Sequence, residues 1–421
     1  MQIGIIGSGI AGLGAAYILD SQSDHEITLY EAETRLGGHS NTITVSDPDA
    51  GEINVDTGFI VHNGRNYPKL LKLFVELGVK TQPSEMTFGV VDEATGLSYS
   101  ATSLSSLFAQ RKNLLKPTLW RLLVDIARFY KNGQKLLASS SGEASYTIGD
   151  MLDDGGYSNA FVEYHLVPMG SAVWSANPDQ FKAFPAKSLL KFLDNHGLLG
   201  WGDRPEWRTV VNGSKTYVAA IERRFKGTIK LDHPVTAVRR EATGVSIHTA
   251  TSSSTYDKVI LACHSDQSLS LLSDPTEAEQ DVLSKISYQP NEAILHTDVS
   301  VLPPERRSWA AWNYYREARP SKPEVGSTVT YDLTTLQRLP GGLRYLVSLN
   351  SADRIDPKTI LGRFDYAHPV FTAEAIEAQS RIEEINGFDR LYYAGAWQGY
   401  GFHEDGLASA VRVCKLLGVD W

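Results

Sequence analysis

Gly7-Ser8-Gly9-Ile10-Ala11-Gly12 carries the clearest chemistry in this chain, a glycine spacing suited to the pyrophosphate of a dinucleotide. Gly7 permits a tight turn, and Gly9, with Ser8 and Ala11 beside it, lets backbone N–H groups approach the phosphates. Gly12 lets a helix pack closely on the preceding strand. The start of that helix favours an anion. Glu31 follows about twenty residues after the loop, where a carboxylate accepts hydrogen bonds from both adenosine ribose hydroxyls, each on the order of 1.5–3 kcal/mol. A 2′-phosphate would sit beside like charge, so an NADP-type ligand is disfavoured and FAD is expected.

These groups need a βαβ unit to hold them. Ile3-Gly4-Ile5-Ile6 reads as a short buried strand, residues 13–19 as the helix beneath it, and Glu26-Ile27-Thr28-Leu29-Tyr30 as the second strand. Four further segments turn the nucleotide site into a flavin argument. Glu31-Ala32-Glu33-Thr34-Arg35-Leu36-Gly37-Gly38-His39-Ser40 brings a second run of backbone donors toward the phosphates and along the ribityl chain. Ile53-Asn54-Val55-Asp56-Thr57-Gly58-Phe59 is a strand ending in Asp and Gly, with Thr57 and Gly58 as cofactor contacts. His233-Pro234-Val235 offers Val235 as a backbone edge to adenine, and Val259-Ile260-Leu261-Ala262 is a strand returning to the same sheet, with Ala262 at its end. Leu391-Tyr392-Tyr393-Ala394-Gly395-Ala396 is a last strand and turn, followed by His403-Glu404-Asp405-Gly406-Leu407 and a helix expected to start near Gly406. The N-terminal dipole of that helix would meet the negative charge that a reduced flavin develops around N1 and O2.

Composition sets the outer limits. At 421 residues, 42% hydrophobic and 21% charged, the chain is expected to be an ordinary globular protein of two interleaved domains. Forty basic against 49 acidic residues, a net charge of −9, argue against a nucleic-acid partner. Cys263 and Cys414 are too few for a disulfide framework, so buried thiols and a reducing cytoplasm are expected. The first strand begins at Gln2 or Ile3, so no leader is expected, and no apolar run is long enough to span a bilayer. Residues 108–137 nonetheless form a basic amphipathic stretch, with Arg111, Lys112, Lys116, Arg121, Arg128, Lys131 and Lys135 against Asp125 alone, interleaved with Leu115, Trp120 and Phe129. It is either a solvated helix over a core stripe or a surface facing lipid or a partner, the latter implying peripheral contact with the inner face of the membrane.

The expected fold class is α/β: a discontinuous Rossmann-type FAD-binding domain (1–62, 206–264 and 386–421) interleaved with an α+β substrate domain (63–205 and 265–385) that carries a helical insert. Residues 65–205 read as mainly helical apart from strands at 87–91 and 97–100 around Thr95-Gly96. A helix is expected at 217–225 and strands at 228–231, 235–240, 245–249 and 258–262. Alternating strands and loops follow over 265–385, with proline breaks at Pro303-Pro304 and 320–323. The histidines show no metal-ligand spacing, and no Gly-x-Ser-x-Gly elbow follows a strand, so neither a metal site nor a hydrolase is expected.

Together these segments resemble the flavin-containing amine oxidoreductase superfamily of monoamine and polyamine oxidases, protoporphyrinogen oxidase and carotenoid desaturases. A closer resemblance is to predicted FAD-binding proteins similar to the N-terminal oxidase region of plant cyclopropane-fatty-acyl synthases. It is carried by Gly37-Gly38-His39-Ser40-Asn41-Thr42, Val55-Asp56-Thr57-Gly58-Phe59-Ile60-Val61, Asn195-His196-Gly197-Leu198, Trp309 with Trp312-Asn313-Tyr314, His368-Pro369-Val370 and Gly401-Phe402-His403-Glu404-Asp405-Gly406. The bacterial relatives of those proteins accompany methyltransferases that act on lipid chains, which implies a lipid substrate and a methyltransferase partner. The chain departs from the superfamily in two places. Ala394-Gly395-Ala396 stands where Ala-Gly-Asp is frequent, leaving Glu404 or Asp405 as the substitute carboxylate, and Gly37-Gly38-His39 stands where Gly-Gly-Arg is frequent. No cysteine in the C-terminal loop could form a thioether to flavin, which leaves non-covalent binding or a histidyl link through His39.

Around the flavin ring the candidates are Trp312 and Tyr400 as pocket walls with Phe402, and His403 with Glu404 as a titratable pair. Trp174, Trp201, Trp207, Trp309, Tyr314 and Trp397 complete the aromatic set. His196 and His368 are further histidines to weigh, and Lys187, Lys191 and Lys215 are candidates for a lysine at flavin N5. The expected activity is hydride removal from a C–H bond of an apolar substrate, an unsaturated or modified fatty-acyl lipid, by oxidation, desaturation or isomerisation. The alternatives are an amine or amino-acid oxidase using O₂, and a non-redox flavoprotein partner of a lipid methyltransferase.

Overall fold

The computed structural model describes residues 1–100, 110–139, 146–174, 181–200, 202, 204–318 and 328–421. Trp201, Phe108 and the prolines at 320–323 lie outside the described residues, as do the side chains of Trp174, Lys112 and Leu114. A five-stranded parallel sheet runs in the order Thr228–Lys230, Glu26–Tyr30, Gln2–Ile6, Lys258–Leu261, Leu391–Tyr393. Its strands are short apolar runs because both faces are covered. Helix α1 (Ile10–Gln22) lies on one face, and helix α2 (Pro68–Leu77) adds Leu70, Leu73 and Phe74 to the core beneath it. The antiparallel strands Val235–Glu241, Gly244–Thr249 and Ser253–Tyr256 cover the other face through Ile247 and Tyr256.

A seven-stranded sheet forms the second layer, ordered Ile360–Pro369, Tyr288–His296, Leu346–Leu349, Thr328–Asp332, Trp312–Arg316, Phe88–Asp92, Leu97–Ser100. All its neighbours are antiparallel except Trp312–Arg316 beside Phe88–Asp92. Helices α3 (Pro117–Ala138) and α4 (Ala186–Asn195) pack at one end. Leu119, Leu122, Ile126 and Phe129 of α3 share a core with Leu189, Leu190 and Phe192 of α4 and with Val90 and Val329 of the sheet. Each such fully buried side chain contributes about 1.5–3 kcal/mol.

Two expectations are corrected by local physics. The segment expected to alternate strand and loop also contains helices Ser265–Leu271, Glu277–Ser284 and Ala373–Ser380. The second is announced by a Thr276/Glu279 capping box and the third by Thr372, which caps the N–H of Ala375. The last helix, α6 (His403–Leu416), starts three residues before Gly406. Gly406 is a packing glycine: a Cβ there would lie 2.8 Å from Ile10 Cγ2 at the crossing with α1. Between them, helix α5 (Lys215–Arg224) matches the helix expected at 217–225 with a start two residues earlier.

Candidate functional site

The glycine turn has the geometry that its spacing predicts. Gly7 has φ +98° and a Cβ there would lie 2.8 Å from the Ala262 carbonyl oxygen, while a Cβ on Gly12 would lie 1.8 Å from Gly7 O. Any side chain at either position would break the turn. Above Gly9 the space is open, and α1 begins at Ile10 with no side-chain cap and no acid in its first turn, so a bound anion has donors waiting. Glu31 ends strand Glu26–Tyr30 and reaches back over the turn. Its carboxylate accepts from Ser8 N (2.8 Å), from the Ser8 hydroxyl and from Glu33 N (2.9 Å). The second glycine loop docks on the first: Gly37 N donates to Ser8 O at 3.0 Å, and the Arg35 guanidinium donates to Gly38 O at 3.0 Å.

The far end of the chain completes the site. Ala394 N donates to Leu261 O at 3.0 Å and Gly395 N to the Ser409 hydroxyl at 2.8 Å, which seats the last turn next to the first. One cavity of about 1140 Å³ joins both ends. That exceeds the ~300–1,000 Å³ of ordinary ligand pockets, as a cofactor plus substrate requires. Of the expected cofactor residues, Gly7, Ser8, Gly9, Ala11, Glu31, Ala32, Arg35, Gly38, His39, Thr57, Gly58, Val235, Ala262, Gly395 and Ala396 line it. Gly12, Gly37, Ser40, Asp405, Gly406 and Leu407 stand behind the wall. Leu407 is core under α1, and Ser40 is buried against Tyr217 and His403.

The expected His403–Glu404 pair splits apart. Adjacent residues on a helix point about 100° from each other, so only one of them faces the cavity. His403 lines it, with Nε2 at 2.8 Å from Ser40 Oγ and 3.3 Å from Tyr217 OH and its ring stacked 3.7 Å from Phe59. Burial, reinforced by His62, lowers its pKa to about 3, so it is a neutral, pinned imidazole at pH 7 and does not titrate where it was expected to. Glu404 turns away to accept the N–H groups of Lys69 and Leu70, both at 3.0 Å, at the start of α2, and burial raises its pKa. It caps a helix and does not line the cavity. Asp405, expected as a substitute carboxylate, accepts from Tyr400 N (3.1 Å) and Phe402 N (2.9 Å) and so shapes the loop from behind the cavity wall; burial pushes its pKa up to about 6.

The other candidates sort by place. Trp312 and Tyr400 line the cavity, Trp312 edge-on to Tyr331 at 5.0 Å and Tyr400 at 5.6 Å from Phe192. Phe402, Trp207 and Trp397 line it too, whereas Trp309 and Tyr314 do not. His196 stacks on Phe192 at 3.9 Å and gives its Nδ1 to Phe192 O at 2.8 Å, leaving Nε2 as the acceptor. Lys187 and Lys215 are bound elsewhere, to Ser139 O and to Thr44 and Asn54, and Lys191 is exposed, so none of the three is a cavity residue. Both cysteines are free, with burial pushing Cys263 up to about 11 and Cys414 up to about 12. The sequence did not mark Tyr331, Tyr366, Phe371, His264 and Met86 in the wall: Tyr331 and Tyr366 are strand residues, and a strand face on a cavity has the same alternation as one on a core, while Phe371, His264 and Met86 stand outside the strands, where no period applies.

The open face at Gly9, the uncapped start of α1 and Glu31 beside it fit the phosphates and ribose of FAD. A family model described as flavin containing amine oxidoreductase matches residues 10–417. Amine oxidase [flavin-containing] A of Equus caballus is 23% identical over 257 residues, 58% of this chain and 46% of that protein. Protoporphyrinogen oxidase 2, chloroplastic/mitochondrial, of Arabidopsis thaliana is 24% identical over 198 residues, 42% of this chain and 33% of that protein. The chain thus spans a third to a half of the length of these curated relatives. Among solved structures, the CLA-producing fatty acid isomerase from P. acnes superposes with a TM-score of 0.70 at 17% identity, covering 99% of this chain and 98% of that one. With the family model spanning nearly every residue and the nucleotide cradle in place, this chain belongs to the flavin-containing amine oxidoreductases, a family of FAD-dependent oxidoreductases.

Proposed function

We propose that this protein removes a hydride from a C–H bond of a fatty-acyl chain, unsaturated or otherwise modified, in an oxidation, desaturation or isomerisation. The observation that carries this reading is the composition of the cavity wall away from the glycine turns. Ile60, Val61, Met86, Phe192, Leu198, Trp312, Tyr331 and Phe371 line it, and among the described residues no lysine does. Its carboxylates, Glu31, Glu33 and Asp365, stand at the nucleotide strand and on Ile360–Pro369. An ammonium substrate entering the apolar wall would lose its hydration without an anion to replace it, whereas an alkyl chain gains about 0.8 kcal/mol per buried CH₂.

When bound, FAD supplies the two-electron acceptor. The chain's own residues orient the substrate and exclude water: Trp312, Tyr400 and Phe402 wall the acyl chain, and His403, held by Ser40 and Tyr217, keeps a fixed neutral imidazole at the cavity edge. In a desaturation the proton on the neighbouring carbon leaves to His196 Nε2. The same reading assigns the nucleotide domain to 1–62, 206–264 and 386–421 and the substrate domain to 63–205 and 265–385.

Contact with a lipid surface is assigned to α3. Leu115 is 87% exposed, Trp120 51% and Val124 53%, on a segment whose Arg111, Lys131 and Lys135 are also exposed and whose one acid, Asp125, is buried against Arg121 and Arg128. Apolar anchors among local cations on a chain of net charge −9 suit an anionic phospholipid head-group layer, which supports the reading of a cytoplasmic protein that contacts the inner face of the membrane. No helix among the described residues is long and apolar enough to cross a membrane. The deciding experiment is anaerobic reduction of the flavin's visible band by phospholipids, free fatty acids and amines. Bleaching by acyl lipids alone supports this reading. Bleaching by amines with peroxide release replaces it with an amine oxidase; acyl lipid converted to a positional or geometric isomer without bleaching supports the isomerisation form of this reading, and neither bleaching nor lipid conversion replaces it with a non-redox partner of a lipid methyltransferase.

A further inference from the structure

Three histidines from three separate elements converge on the cavity beside the phosphate turn. His39 follows Gly38, whose backbone lies against the turn: a Cβ on Gly38 would be 3.1 Å from Gly9 Cα. His264 stands two residues after Ala262, the residue whose carbonyl presses on Gly7, and stacks on Tyr288 at 4.3 Å. His368 comes from the end of strand Ile360–Pro369, with its ring 5.5 Å from that of His39 and its Nδ1 taking a hydrogen bond from Asn291 at 3.0 Å. His39 stacks on Tyr366 at 4.7 Å, yet its Nε2 is buried with no partner among the described residues. Among the described residues, the charged and titratable groups that face these rings include Arg35 on the second glycine loop, Asp266 beside His264, His403 on α6, Tyr366 against His39 and Tyr288 against His264.

We propose that His39, His264 and His368 form, together with Arg35, a titratable anion site that holds the pyrophosphate of FAD, so that the cofactor is bound with uptake of protons and is released more readily as pH rises. His39 and His368, with ring centroids 5.5 Å apart, repel each other when charged. Burial holds all three rings below the ordinary histidine value, reinforced at His39 by His368 and His264 and at His368, which lies at about 4, by His264. A dianion placed among them reverses the balance, because each protonated ring then gains an opposite charge within a few ångströms. The sign follows from linkage: a group whose pKa rises on binding strengthens binding below the bound-state value and loses that contribution as pH climbs through it. An arginine at any of these places would hold the anion without pH dependence; imidazoles make retention conditional.

The test uses the holoenzyme at constant ionic strength. Free FAD is separated by ultrafiltration and read by fluorescence from pH 6 to pH 9, with no substrate present, so the outcome is independent of what the enzyme oxidises. The apparent Kd is expected to rise by about ten-fold per pH unit over part of this range, the signature of one proton taken up per FAD bound. H264Q and H368Q should each flatten the slope, and H39R, which installs a fixed cation, should lower Kd at pH 8 below that of the wild type. Calorimetric titration of wild-type apoprotein with FAD in buffers of different ionisation enthalpy reads the proton uptake directly and needs no variant. A wild-type Kd constant within three-fold across the range, zero proton uptake at pH 7, or an unchanged slope in the double variant H264Q/H368Q would each overturn the proposal.

Discussion

Replacing Glu31 by alanine tests the nucleotide assignment most sharply. The carboxylate reaches over the glycine turn and lines the cavity where an adenosine ribose would sit. Two ribose hydroxyls bonded to a charged acceptor contribute about 1.5–3 kcal/mol each. At 1.4 kcal/mol per ten-fold, their loss predicts a rise in the FAD dissociation constant of about 10²–10⁴. The Ser8 N–H and hydroxyl, now bonded to Glu31, turn to water in the variant, so a modest loss of turn order adds to the effect. The assay is equilibrium release of FAD from wild type and variant at one pH and salt concentration, with FMN as internal control. FMN lacks the adenosine, so its binding should change by less than about three-fold. An E31A variant that retains FAD within three-fold of wild type, while folded by circular dichroism, would show that Glu31 does not hold the ribose. An equal loss of FAD and FMN would show instead that the residue only props the turn.

Three other outcomes are expected. Glu404→Gln should lower stability by about 1–2 kcal/mol, since it weakens the cap on α2, and should leave the rate of anaerobic flavin reduction unchanged, because the carboxylate faces Lys69 and Leu70 and not the cavity; a lost rate with unchanged melting temperature would restore Glu404 to the chemistry. Asp405, raised by burial to about 6 from 3.8, favours the folded state most below pH 4 and loses that contribution as pH rises through 6, by ~3 kcal/mol. Asp405→Asn should therefore remove a descending component from the plot of Tm against pH between 4 and 6, and a variant curve parallel to wild type would refute the shift. Finally, sedimentation with anionic vesicles should fall as salt rises and should fall further in a Leu115→Ser/Val124→Ser variant, whereas absence of binding at low salt would leave α3 as a solvated helix over its core stripe.

Much of the nucleotide half was legible because its constraints are local. A strand of four apolar residues, a turn that tolerates only glycine at Gly7 and Gly12, and a carboxylate at the next strand end are all set within thirty residues, and the structure places them as their spacing requires. The strands at 228–231 and 258–262 were also visible as β-rich runs, and both join the same sheet. The reaction end was not legible to the same degree. His403 and Glu404 are neighbours in sequence, and only the 100° turn of the helix and the arrival of α2 separate an imidazole in the wall from a carboxylate that caps another element.

What the amino-acid order by itself determined is the glycine turn, the carboxylate at the end of the next strand and the hydrophobic runs that seat them, since each depends on backbone sterics and period alone. What only the tertiary structure decided is which distant side chains share a cavity: His39, His264 and His368 lie on three elements up to 329 positions apart, and Phe192, Trp312 and Tyr400 meet from a helix, a strand and a loop. Their burial, and therefore their charge state, is a property of the packed molecule, because desolvation is set by neighbours that the local sequence does not name.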